Sequence, residues 1–166
     1  MANPGPSTTT TVNTQAVTAP IQTPLVNTNA GPAQGINARR LIAAARCLNL
    51  AATGDQAIIP VINTMYYTVS DVIVANGQVS GVAAAITTAG IGIWTSAAKA
   101  GTTVVASVAL TTNSAANSVW AATVSTAASA TAIVVSQGVN QNLYFNVNTL
   151  LAAATCDVFV YGYDLT

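Results

Sequence analysis

Beyond residue 40 the apolar residues of this chain come only in short runs, and this restricts the fold more than any other feature. The runs are AIIPVI (57–62), MYYTVSDVIVANG (65–77), IGIWT (91–95), TTVVASVAL (102–110), SVWAATV (118–124), TAIVV (131–135), NLYFNVN (142–148) and CDVFVYGYD (156–164). Rich in Val, Ile, Thr and aromatics, punctuated by Gly and Asn, and spaced roughly 10–15 residues apart, they predict an all-β sandwich or jelly roll. In the second run Tyr67, Val69, Asp71, Ile73 and Ala75 alternate against Tyr66, Thr68, Ser70, Val72 and Val74, as the two faces of a strand. Asn76-Gly77 then predicts a type I′ hairpin turn, since both residues tolerate positive φ. Pro60 predicts an edge strand or a bulge.

The last run alternates Asp157, Phe159, Tyr161 and Tyr163 against Val158, Val160, Gly162 and Asp164. It is apolar on both sides as far as Gly162, which predicts a strand inside a sandwich or at a subunit seam, with its carboxylates marking the ends. Two other stretches are ambiguous. ARRLIAAARCLNLAA (38–52) places Leu41, Ala44, Ala45 and Leu48 at helical spacing, yet it also alternates as a strand. A strand over 46–51 is favoured because a Gly54-Asp55 turn and another apolar run follow. SGVAAAITTAG (80–90) and ATVSTAASATA (122–132) interleave Ala with Thr, Ser and Gly, and predict loops or loosely packed strands.

The first forty residues have another texture. Residues 1–38 hold no charged side chain, five of the six prolines and eight threonines. Proline interrupts ladders and helices, and so polar a segment buries too little to offset its own ordering entropy. The expectation is an extended, Pro/Thr-rich N-terminal arm over 1–40 and a β-sandwich domain over 41–166. Ala16-Val17 and Leu25-Val26 are the arm's candidate anchors on a partner.

Composition narrows the function. Four basic residues (Arg39, Arg40, Arg46, Lys99) balance four acidic ones (Asp55, Asp71, Asp157, Asp164), and 52% of the chain is apolar. Net neutrality leaves no electrostatic footprint for nucleic acid or an anionic membrane. It also serves solubility poorly, so the chain is expected to work docked against something. Ala100 to Cys156 is uncharged, but recurrent Ser, Thr, Asn, Gln and Gly keep every window short of a membrane span. The N-terminus lacks the basic start and apolar core of a signal peptide, which points to synthesis in a cytoplasm. Cys47 and Cys156 are then expected to be reduced, small and buried.

Absent His and Glu, the commonest general bases and zinc ligands are missing. Asp157 and Asp164 lie about 23 Å apart along a strand, too far for a glycosidase pair. Asp71 and Asp157 can meet only across strands. No Ser-x-x-Lys and no glycine-rich phosphate loop occurs. The chain therefore reads as a non-enzyme without metal or cofactor. Arg39, Arg40 and Arg46 form its one basic cluster, either a solvated hinge or a set of guanidiniums that dock onto a partner's carboxylates. Trp94, Trp120, Tyr144 and Phe145 read as core or rim residues.

Taken in order, VSDVIVANG, AGIGIWTSAAKAGTTVVA and NLYFNVNTLLAAATCDVFVYGYDL resemble small β-rich virion proteins of tailed bacteriophages. Shared features are a strand ending at an Asn turn, a Gly-aromatic-Thr run followed by a Gly-Thr strand, and a closing strand of valines with a Tyr-Gly pair. The resemblance spans residues 46–166 and leaves the arm outside. It implies a head decoration (cement) protein of the virion, with a jelly-roll-like domain, assembled as a homotrimer on the major capsid protein. It carries over no catalytic residue. Two other readings stay open: a neck, tail or fibre-base protein of the virion, and a carbohydrate-binding surface module using Tyr161, Tyr163 and Asp164.

Overall fold

The computed structural model describes residues 39–60, 65–135 and 140–165. Residues 1–38 of the predicted arm, with Leu25 and Val26, lie outside the described residues. Strands occupy 62% of what is described and helix 3%, so the fold is all-β. The ten strands are β1 (Arg39–Asn49), β2 (Gly54–Pro60), β3 (Tyr66–Val79), β4 (Val82–Ala83), β5 (Gly90–Ser96), β6 (Ala100–Ala109), β7 (Trp120–Ala122), β8 (Ile133–Val134), β9 (Leu143–Thr149) and β10 (Ala154–Asp164). They form one curled antiparallel sheet in the order β4-β3-β10-β1-β2-β9-β5-β6, with β7 and β8 also pairing with β3.

β2 is the joint of the curl. Its residues Gly54–Ile58 pair with β9, while Ile59 and Pro60 pair with β1, so one strand hands the sheet from one half to the other. Pro60 sits at the strand's end, where a missing N–H costs least. The inner faces of the two halves share one core. Ile42, Val72, Val74, Val158 and Val160 come from one side, and Ile58, Ile91, Ile93, Val105 and Phe145 from the other. Each such buried side chain contributes about 1.5–3 kcal/mol. Trp94 and Trp120 are buried at its margins, as the sequence leads one to expect.

β1 resolves the first ambiguity: all of Arg39–Asn49 is strand, beginning inside the predicted arm boundary. The helical spacing loses because β10 and β2 supply ladders on both sides, and a sheet position buries Ile42, Ala43 and Leu48 together. The second ambiguity resolves against the prediction in one place. Within 122–132 a single helical turn forms, α1 (Thr126–Ser129), buried through Ala128 and capped by Ser125, whose Oγ accepts the Ala128 N–H at 3.3 Å. Ser at the N-cap satisfies an otherwise orphan donor, which lets so short a turn persist.

Asn76-Gly77 is not a turn. It lies within β3, opposite β10 where Thr155 pairs with Gln78 and Asp157 with Ala75, so two residues of β3 face one of β10. This is a bulge, with Asn76 at φ 52°. The hairpin turns four residues later, at Ser80-Gly81, with φ values of 53° and 78° between the paired Val79 and Val82. A second irregularity at Ser70 shifts the register between Tyr161–Asp71 and Gly162–Val69. It breaks the predicted alternation: Tyr67, Val69, Val72 and Val74 are buried, while Asp71 and Ile73 turn outward with Thr68.

β10 is central, between β3 and β1, but only one of its sides is interior. Cys156, Val158, Val160 and Gly162 are buried, whereas Phe159 and Tyr161 are half-buried and Tyr163 is exposed. The doubly buried strand expected from its apolar composition is thus a strand with one core face and one partly open face. Among the described residues no helix is long and apolar enough to cross a membrane.

Candidate docking face and the carboxylate at its end

The open face belongs to β1, β10 and β3. Residues directly opposite each other in a ladder share a face. Phe159 stands opposite Ala44 and Ile73, Tyr161 opposite Leu41 and Asp71, and Tyr163 opposite Arg39 and Thr68. Leu41, Ala44, Ile73, Phe159 and Tyr161 are each half-buried, and Tyr163 keeps 38% of its surface. The result is an aromatic and aliphatic surface across three strands. Arg39, Ile73 and Tyr161 line a broad depression of about 520 Å³ within it.

The face is neutral because its charges are matched internally. Arg39 Nε lies 3.0 Å from Asp71 Oδ2, and its guanidinium sits 5.0 Å from the centre of the Tyr161 ring. The pair is well exposed, 47% and 41% by side chain, so it contributes little stability, while the cation–π contact adds a second partner for the guanidinium. Arg40 projects to the other side of β1 and reaches Asp164 Oδ2 at 3.1 Å. Arg46 lies at the far end of the strand, about 20 Å from Arg40. The three arginines therefore do not form one cluster. Arg39 belongs to the docking face, Arg40 ties β1 to β10, and Arg46 borders a separate polar pocket. Tyr161 and Tyr163 do come together, on one face and two residues apart.

The separate pocket, about 210 Å³, holds a side chain whose structural role sequence reasoning missed. Asp157 is 8% exposed in the middle of the sheet. Its Oδ1 accepts the Cys47 N–H at 2.9 Å and its Oδ2 accepts from Asn76 Nδ2 at 2.7 Å. Cys47 and Asn76 both sit at positive φ, 53° and 52°, in bulges of β1 and β3 that flank the same point of β10. One carboxylate thus pins two bulges, one on each neighbouring strand. Read as an end-marker in the sequence, Asp157 is instead a cross-strand clamp. The available signal was the isolation of Asp between Cys and Val in an apolar strand.

Asp71 and Asp157 do not meet, because Asp71 pairs with Tyr161 and Asp157 with Ala75. Both cysteines are free thiols. Cys156 is buried as expected, and burial, with the Asp157 charge beside it, pushes its pKa up to about 12. Cys47 is exposed, contrary to expectation, because the bulge turns it away from the core. Among the described residues no group of three or more His, Cys, Asp or Glu is placed to hold a metal ion. Compared with known proteins, the chain matches no family model, no curated protein and no solved structure.

Proposed function

We propose that this chain is a structural virion protein: a capsid decoration protein that binds the outer surface of a tailed-phage head and stabilises the lattice by bridging capsomers. The observation that carries this reading is the open face of β1, β10 and β3, where Leu41, Ile73, Phe159 and Tyr161 stay half-buried beside exposed Tyr163. Aromatic residues on a neutral surface are the usual anchors of protein interfaces, and pairing Arg39 with Asp71 removes the cost of burying a lone charge. The resemblance of residues 46–166 to virion proteins points the same way.

In this reading the curled sheet is a jelly-roll-like sandwich whose halves close on one core. Residues 1–38 serve as an extended arm, with Arg39 and Arg40 already part of β1, and three copies assemble as a homotrimer against the major capsid protein. The role is mechanical and uses no catalytic group. Many identical copies on a lattice add avidity, so each contact need contribute only modestly.

The test is a count and a re-addition. Purified heads should carry hundreds of copies, and stripped heads should recover them from added protein. Tyr161→Ser with Tyr163→Ser should reduce re-binding while leaving the fold intact by circular dichroism, since each truncated interface aromatic costs about 1–2 kcal/mol. A dozen or fewer copies per particle would place the chain in a neck or tail. Full re-binding by the double variant would remove the face from the interface.

A further inference from the structure

β6 ends the sheet: among the described residues no strand lies beyond it. Its first half is bordered by Ser125, whose N–H donates to Val104 O at 2.9 Å and whose hydroxyl donates to Thr103 O. Among the described residues the outer edge of its second half has no backbone partner. Ala106, Ser107, Val108 and Ala109 are all exposed, hence on both faces of the strand, and Val108 keeps 41% of its surface. Proteins usually blunt a sheet edge with lysine or proline, and β6 carries neither. Beside it runs a groove of about 330 Å³ lined by Val105, Val108, Trp120 and Thr123. An uncharged, proline-free edge next to an apolar groove fits the addition of an extended strand: the main chain supplies hydrogen bonds and the groove takes alternate side chains.

The sequence contains a segment of matching chemistry. Residues 7–19, STTTTVNTQAVTA, are the longest proline-free stretch before β1 and carry no charge. Threonine and valine suit a strand. In an extended conformation Val12 and Ala16 share one side with four threonines, and Asn13 and Gln15 fall on the other. We propose that residues 7–19 of a second copy of this chain add as a strand to the free edge of β6, with Val12 and Ala16 over the groove. Neither surface is charged, so pairing strands no ion away from water. Donor segment and acceptor edge are different parts of the chain, so the contact is heterologous. Such a contact joins copies head to tail, into a ring where the rotation closes and into a filament where it does not. This association does not depend on what the assembled copies bind.

The test uses full-length chains with Cys47→Ser, which removes the exposed native thiol. One chain carries Val12→Cys and the other Ser107→Cys. On mixing under mild oxidation, a disulfide between the two chains is expected, with a yield that falls on dilution. Amide exchange of Val105–Ala109 should be slow in the assembled protein and about tenfold faster in Val12→Pro, since proline interrupts the added ladder. A crosslink that forms only when one chain carries both substitutions, and is insensitive to dilution, would overturn the second-copy assignment. So would protection of β6 that arises only on adding phage heads. No crosslink, with equal exchange in the parent and Val12→Pro, would overturn strand addition altogether.

Discussion

Replacing Asp157 should damage this protein out of proportion to its size. The carboxylate accepts two hydrogen bonds, at 2.9 Å from the Cys47 amide and 2.7 Å from the Asn76 side chain. Bonds to a charged acceptor contribute about 1.5–3 kcal/mol each. Cys47 and Asn76 are themselves exposed, so their freed donors can turn to water, which places the loss at the low end of that range. Asp157→Ala should therefore cost about 3 kcal/mol. Asp157→Asn keeps the shape and one acceptor but opposes an amide donor to a donor, and should cost about 2 kcal/mol. For a domain whose total stability is on the order of 5–15 kcal/mol, either loss is readily measured. The assay is urea unfolding, followed through Trp94 and Trp120, with Asn76→Ala and the double variant completing a cycle. A clamp of this kind requires coupling between Asp157 and Asn76 of about 1 kcal/mol or more. Additive effects, or an Asp157→Ala loss below about 0.5 kcal/mol, would show that the bulges hold themselves without the clamp.

Other expectations follow from packing and titration. A Cβ on Gly162 would overlap the Thr68 carbonyl oxygen and lie 2.9 Å from its carbonyl carbon and 3.1 Å from Val69 Cα, so Gly162→Ala must push apart β10 and β3 at the Ser70 irregularity. A loss of about 3 kcal/mol or failure to fold is expected; normal expression and an unchanged urea midpoint would contradict that geometry. Asn113 is 1% exposed and neither side-chain polar atom has a hydrogen-bond partner among the described residues, so Asn113→Leu should raise the unfolding free energy by about 1 kcal/mol and move the urea midpoint upward; a lowered midpoint would argue against an unsatisfied amide there. Burial raises the Cys156 pKa from 9.0 and the Tyr67 pKa from 10.0, each to about 12. Below pH 9 both groups hold their protons folded and unfolded; above it the unfolded thiol, then the unfolded phenol, loses a proton that the folded group keeps. Stability should thus fall between pH 9 and about 12, and Cys156→Val should delay the onset toward pH 10; a flat profile across that window would refute the assignment.

Much of the strand content was legible because alternation and β-branched composition are local properties. The runs at 91–95, 102–110, 142–148 and 156–164 became β5, β6, β9 and β10 with small changes at their ends. Tyr161 and Tyr163 were legible as neighbours on one face for the same reason. The bulges were not. A bulge is defined by two residues facing one on another strand, so Asn76 cannot reveal it without Cys156, nor Cys47 without Asp157. Asn-Gly tolerates positive φ equally in a turn and in a bulge, which is why the dipeptide misleads. Arg39 and Arg40 read as a basic cluster because they adjoin in sequence. In the sheet they project to opposite sides and find Asp71 and Asp164, carboxylates 32 and 124 residues away.

Sequence alone thus determined a neutral, strand-rich chain without a repeated helical period, since those features depend on composition and on neighbours within a few residues. Tertiary structure decided the rest: which strand lies beside which, where the ladder slips, and which side of β10 meets the core. Those outcomes depend on hydrogen bonds between segments far apart in the chain, where one extra residue reverses every side chain that follows. That is how Asp157, one residue after buried Cys156, comes to bind both of its neighbouring strands.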